Sequence, residues 1–349
     1  MSTATQDPLV GHTLAGKYVI EQLVREEGLG RVYDAVVLPQ QAVVNVKVLH
    51  PHLVEDKEAF GRFGREMMAT AAVNHPNSVK MLDFGEHRGI FHFIVLERLY
   101  ARTLGEEIAR HGSLPVDRAC HVSAQIASAL ITAHNENIIH RNLSSNNVLL
   151  LENAVQGDYV KIRDFGMSRL NDERGQANDD ISGVETRVGT VAYMAPEYID
   201  AGVVDPRVDL YALGVLMYEM LTGEVPFTGR PGEILEKHVR EVPPAPSTRA
   251  PVPMWLDALV ATLLEKDPLM RPRNAAEVLT ALQRGTGRRL DPPDLAPEPA
   301  VRPPTSEPVE REVNEPSDGS FGALGALAIV IILIVLAGIG AAMLGASPF

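Results

Sequence analysis

The feature that most constrains the fold is a change of periodicity inside one 268-residue stretch, from Lys17 to Arg284. Its first part alternates apolar and polar residues in Tyr18-Val-Ile-Glu-Gln-Leu-Val24, Arg31-Val-Tyr-Asp-Ala-Val-Val37 and Val43-Val-Asn-Val-Lys-Val-Leu49. Period-two runs of this kind predict antiparallel strands with one face buried. A helix is expected over 57–72, followed by strands near 79–84 and 90–96. Beyond Leu104 apolar residues recur at helical spacing, over 116–135, 208–222, 255–264 and 275–284. Strands gathered before helices imply an α+β architecture. We expect a small β-rich N-lobe, about 17–99, and a larger helical C-lobe, about 100–284. The length is large for one core and comfortable for two lobes.

The flanks differ from this stretch. Residues 1–16 form an N-terminal extension with neither a basic region nor an apolar run, so no secretion signal is expected there. Residues 285–320 read as a Pro-rich acidic linker; from Leu290 to Ser320 it holds eight prolines, eight acidic residues and two arginines. It has too few apolar residues to fold alone. Residues 321–345 carry no charge at all. At about 1.5 Å per residue such a helix spans a hydrocarbon core of roughly 30 Å. The expectation is a single-pass C-terminal anchor with only 346–349 beyond it. Arg302 and Arg311 precede the span, which favours a cytoplasmic location for the folded part before it. Ala337, Ala341 and Gly345 have small-xxx-small spacing, so a second copy is a candidate partner, although such residues are common in spans generally.

Charge and cysteine content exclude several classes. With 45 Asp+Glu against 32 Lys+Arg the chain is acidic, which argues against nucleic acid as its partner. The single cysteine, Cys120, cannot form an internal disulfide framework and reads as a small core residue. No Cys/His spacing suits structural zinc, and His50 and His52 are too isolated to argue for a metal.

The motifs along 17–284 resemble the eukaryotic-like Ser/Thr protein kinases found in bacteria, in the right order throughout. Val44-Asn-Val-Lys47 looks like the strand whose Lys holds nucleotide phosphates, and Glu66 like its partner on the following helix. His75-Pro-Asn-Ser-Val matches the turn after that helix. Asp164-Phe-Gly and Asn147 resemble the two magnesium ligands. Gly189 to Glu197 resembles the end of an activation segment, and Asp209 to Glu219 the buried central helix. The resemblance pairs Arg271 with Glu197, has Asp209 brace the catalytic-loop backbone, and sets His140 and Arg141 within that loop. It assigns Gly28, Gly30, Val32, Asn45 and Glu97 to the nucleotide pocket. Arg141 is then suited to a phosphate on Ser182, Thr186 or Thr190, the candidate phosphosites.

Three departures from the family pattern carry the functional reading. The loop reads His140-Arg-Asn-Leu-Ser-Ser-Asn-Asn147, so Asn142 stands where the catalytic Asp belongs and Ser144 where a Lys steadies the γ-phosphate. Asn accepts hydrogen bonds but is a negligible base. Arg25 and Glu27 stand at the first two glycines of the Gly-rich loop, and Glu27 is expected to repel ATP. Asn45 replaces the Ala that packs on adenine. The resemblance implies ATP and Mg²⁺ as ligands, and these departures imply weakened binding.

Three readings follow. The first is a membrane-anchored pseudokinase serving cytoplasmic protein partners as scaffold or regulator. The second is an active atypical Ser/Thr kinase, and the third an interaction module that takes no nucleotide.

Overall fold

The computed structural model describes residues 7–151, 158–166 and 191–289. The expected linker beyond residue 289, the 321–345 span, the 346–349 tail and the sites Ser182, Thr186 and Thr190 all lie outside the described residues. Among the described residues no helix is long and apolar enough to cross a membrane.

The first lobe is one antiparallel sheet in the order β1-β2-β3-β4-β6-β5. Its strands are β1 (Thr13–Leu14), β2 (Tyr18–Glu26), β3 (Gly30–Val37), β4 (Ala42–Leu49), β5 (Met81–His87) and β6 (Phe91–Glu97). Alternation sorts the side chains of β4 cleanly. Val44, Val46 and Val48 join Ile20, Tyr33, Ala35, Phe93 and Val95 in a core on one face. Lys47 and Leu49 point the other way, where Leu49 packs on Phe63 of α1 (Lys57–Ala72). Asp56 starts that helix by accepting from the amides of Glu58 and Ala59, satisfying two donors that have no partner within the helix. The extension expected at 1–16 is partly built into this lobe, because Leu9 and Leu14 are buried in the same core and β1 pairs with β2.

The second lobe is helical around α5 (Arg207–Thr222), with α2 (Leu104–His111), α3 (Val116–Asn135), α4 (Pro196–Ala201), α6 (Pro231–Arg240), α7 (Met254–Leu263) and α8 (Ala275–Thr286). Thirteen of the sixteen residues of α5 are buried, as expected of a helix apolar on every side. A three-stranded sheet of β7 (Ala101–Thr103), β8 (Val148–Leu151) and β9 (Tyr159–Ile162) lies where the chain passes between lobes. Cys120 is buried on α3, and burial pushes its thiol up to about 11, so it behaves as a core residue.

Arg271 is fully enclosed and grips Glu197 with two parallel bonds of 2.7 Å. It also donates to the carbonyls of Arg207, Glu265 and Lys266, which ties α4, α5 and the turn before α8 into one unit. Removing one partner of a buried pair leaves a charge without compensation. Glu197→Gln should therefore cost about 3–5 kcal/mol of unfolding free energy, read by urea denaturation.

His238 on α6 is buried and shares a hydrogen bond of 2.8 Å between its Nδ1 and Tyr211 Oη. Burial, with Lys266 beside it, pulls its pKa down from 6.5 to about 4. The unfolded chain then takes up the proton first as pH falls, so stability is intact above about 6.5 and declines toward about 4. His238→Gln should flatten that decline by up to about 3 kcal/mol across the window.

Candidate functional site

The cleft between the lobes is organised around a buried ammonium. Lys47 is 1% exposed, and its Nζ contacts Glu66 Oε1 of α1 and, at 2.7 Å, Glu27 Oε2 of the loop between β2 and β3. Burial disfavours the ammonium, but Glu66, Glu27 and Asp164 together raise its pKa and keep it charged. The second oxygen of Glu66 has no hydrogen-bond partner and its residue is buried; burial pushes this carboxyl up against the pull of Lys47.

Glu27 does something that repulsion toward ATP does not describe. Glu27 and Gly30 exchange backbone hydrogen bonds of 2.8 and 3.3 Å across a tight turn holding Gly28 and Leu29. That turn aims the Glu27 side chain inward, where its other oxygen accepts from Arg25 Nε at 2.7 Å. Burial opposes ionisation, yet Lys47 and Arg25 hold Glu27 down at about 2. Gly30 is needed for packing: a Cβ there would lie 2.1 Å from the Val48 carbonyl oxygen of β4.

At the expected base pocket, Val32 is buried opposite Lys47 in the β3–β4 register. Two pairs further on, Asn45 faces Asp34 and donates to it at 2.7 Å. Asp34 also accepts from Gln22 at 2.8 Å and pairs with Arg98 Nε at 2.7 Å, and the Arg98 guanidinium lies 4.4 Å from the Tyr100 ring centroid. Asn45 is thus one member of a polar cluster joining the sheet to the segment after β6. The Glu97 side chain is engaged elsewhere, accepting from Lys161 Nζ at 2.6 Å and the Lys80 amide at 2.8 Å. Asp34 and Arg98 escaped the sequence reading. A charged residue at an inward position of a strand was the available signal, and it is weak.

The catalytic-type loop is held by its backbone. Asp209 of α5 accepts from the amides of His140 at 2.8 Å and Arg141 at 2.9 Å, and from His134 Nε2 at 2.8 Å. Burial opposes the charge, but His134 and these neighbours hold Asp209 below the usual carboxylate range. The His140 ring lies 4.7 Å from that of Phe165 and donates from Nε2 to the Arg163 carbonyl at 3.1 Å. Gly166, at φ +74°, packs so closely on α1 that a Cβ would lie 2.3 Å from the Ala69 methyl. Ser145 replaces a family Pro and joins Tyr193 Oη at 2.9 Å and Glu219 at 3.1 Å in a polar contact that links loop, segment end and α5.

Asn142, Ser144, Asn147 and Asp164 sit together around this loop. Asn147 is buried and donates to the Asn142 carbonyl at 2.8 Å. Its Oδ1 accepts from Arg163 Nε at 3.3 Å, and the same nitrogen lies 3.6 Å from Asp164 Oδ2. Arg163 was not singled out from sequence, because it falls between fixed motif positions. Carboxylate and amide oxygens suit Mg²⁺ by type, but here a guanidinium stands against both. Among the described residues no His/Cys/Asp/Glu cluster of metal-binding size occurs.

Comparison with known proteins agrees with this architecture. The protein kinase domain family matches residues 18–281. The serine/threonine-protein kinase pkn3 of Myxococcus xanthus is 35% identical over 291 residues, covering 81% of this chain and 52% of that protein. The serine/threonine-protein kinase PknB of Mycolicibacterium smegmatis is 36% identical over 276 residues, covering 78% of this chain and 43% of that one. The chain thus spans about half, or less, of the length of these relatives. In fold it superposes on the Mycobacterium tuberculosis PknI kinase domain with a TM-score of 0.60 at 24% identity, covering 78% of this chain and 98% of that domain. With its two lobes, its Lys47–Glu66 pair and a matching domain over 18–281, the chain belongs to the protein kinase domain family, alongside the bacterial Ser/Thr kinases.

Proposed function

We propose that this chain is a kinase-fold regulator or scaffold whose phosphoryl transfer is lost or strongly reduced, tethered to a membrane by residues 321–345 and facing cytoplasmic protein partners. The observation that carries the reading is Asn142 at the one loop position that must accept the substrate hydroxyl proton. An amide oxygen has no basicity to offer there. Loss of a general base costs about 10²–10⁴-fold, and Ser144 removes a second charge from the γ-phosphate. From a kinase turnover of about 1–100 s⁻¹, roughly 10⁻² s⁻¹ or less remains.

The parts that do not require catalysis are intact. Asp209 still braces the loop, the Arg271–Glu197 pair is closed, and Phe165 still meets His140. These support the shape that a partner protein would read. The retained Lys47, Glu66, Asn147 and Asp164 favour a second reading, an atypical kinase with another carboxylate as base.

The deciding experiment is γ-phosphate transfer to a generic protein substrate by the full chain, Asn142→Asp/Ser144→Lys and Asp164→Ala. The original chain should turn over at or below about 10⁻² s⁻¹, and the double variant should gain at least about 10²-fold. Transfer at ordinary kinase rates that Asp164→Ala abolishes would replace this reading with the second. Lys47→Ala is a poor inactive control, because it leaves the buried Glu66 without its cation. It should cost about 3–5 kcal/mol of stability by chemical denaturation.

A further inference from the structure

Two contacts put side chains of this chain where a kinase cleft would meet the charges of a metal–nucleotide complex. Glu27 places a carboxylate on Lys47 at 2.7 Å and is clamped from behind by Arg25. Arg163 places Nε 3.3 Å from Asn147 Oδ1 and 3.6 Å from Asp164 Oδ2. The signs are those of the ligand: an anion on the lysine, a cation on the two oxygen donors. The side chains of Glu27 and Arg163 are only 17% and 20% exposed, so both belong to the cleft rather than to a solvated rim. The Arg163 backbone is pinned as well, its amide donating to the Asn147 carbonyl at 3.1 Å and its carbonyl 3.1 Å from His140 Nε2. Mg²⁺ bound to those oxygens at about 2.0–2.1 Å would stand within a few ångströms of the guanidinium and be repelled. Phosphate oxygens reaching Lys47 would meet the Glu27 carboxylate first.

We propose that Glu27 and Arg163 are an internal surrogate for the metal–nucleotide, the carboxylate standing for phosphate and the guanidinium for Mg²⁺. The cleft therefore selects against ligands that carry phosphate at Lys47 and admits Mg²⁺-ATP only when both side chains are displaced. This rests on the reading of the cleft as catalytically impaired and names its ligand preference.

The test is titration of the full chain with Mg²⁺-ATP, metal-free ATP and adenosine, in the original sequence, Glu27→Gln, Glu27→Gly, Arg163→Ala and Glu26→Gln. Glu26 is the control, since it pairs with Arg31 outside the cleft. Glu27→Gly restores the residue type the family carries there, and is the second variant should Glu27→Gln fold poorly. Either Glu27 variant should bind Mg²⁺-ATP at least about tenfold more tightly, with adenosine and Glu26→Gln moving less than about threefold. Arg163→Ala should make ATP binding gain more from added Mg²⁺ than it does in the original chain. Unchanged or weaker Mg²⁺-ATP binding in both Glu27 variants would overturn the carboxylate half, as would an equal gain for adenosine. An unchanged Mg²⁺ effect in Arg163→Ala would overturn the guanidinium half. Phosphoryl transfer by the original chain at ordinary kinase rates would instead overturn the proposed function and leave these affinity ratios standing.

Discussion

An ammonium buried to 1% exposure has to be surrounded by negative charge, and the arrangement around Lys47 follows from that need. Glu66 supplies one carboxylate and thereby fixes α1 against the sheet. Gly166 then seats the end of the Asp164-Phe-Gly segment on Ala69 of the same helix, and Phe165 reaches the His140 ring. His140 and Arg141 are in turn held by Asp209 from the central helix. One chain of contacts runs from the sheet to the core of the helical lobe. In an active kinase part of the negative charge beside the lysine comes from the nucleotide. Here Glu27 provides it from within the chain.

That difference separates shape from chemistry. Catalysis needs a base, a steadying cation at the γ-phosphate and a cleft free to receive charge; shape needs only buried pairs that are complete. The Arg271–Glu197 grip, the Asp209 bonds to the loop and the Ser145–Tyr193–Glu219 contact are all made between side chains and backbone of the chain itself.

Much of this was legible in the residues. The helices over 57–72 and 116–135 emerge with those bounds, because periodic apolar spacing is long and uninterrupted in both, and Asp56 caps the first. The strands β7 to β9 escaped because three or four residues are too few to show alternation. Helix α2 also escaped, although Thr103 and Glu106 form a capping box that the sequence spells out. Substitutions at fixed motif positions, Asn142 and Ser144 above all, were readable because the motif defines what belongs there. Asp34, Arg98 and Arg163 were not, since their meaning depends on what lies across the cleft. Glu27 was seen as a repelling charge, because nothing in the order of residues puts this loop residue on Lys47, twenty positions away on β4.

The most direct measurement is equilibrium unfolding of the full chain with and without millimolar Mg²⁺-ATP. A ligand at about 100 times its dissociation constant adds roughly 2.7 kcal/mol, and at its dissociation constant only about 0.4. A Lys47 already neutralised by Glu27 and Glu66 predicts a gain below about 0.5 kcal/mol. A gain of about 2.7 kcal/mol or more would show that the nucleotide, and not Glu27, completes the cleft, contradicting the account at its centre.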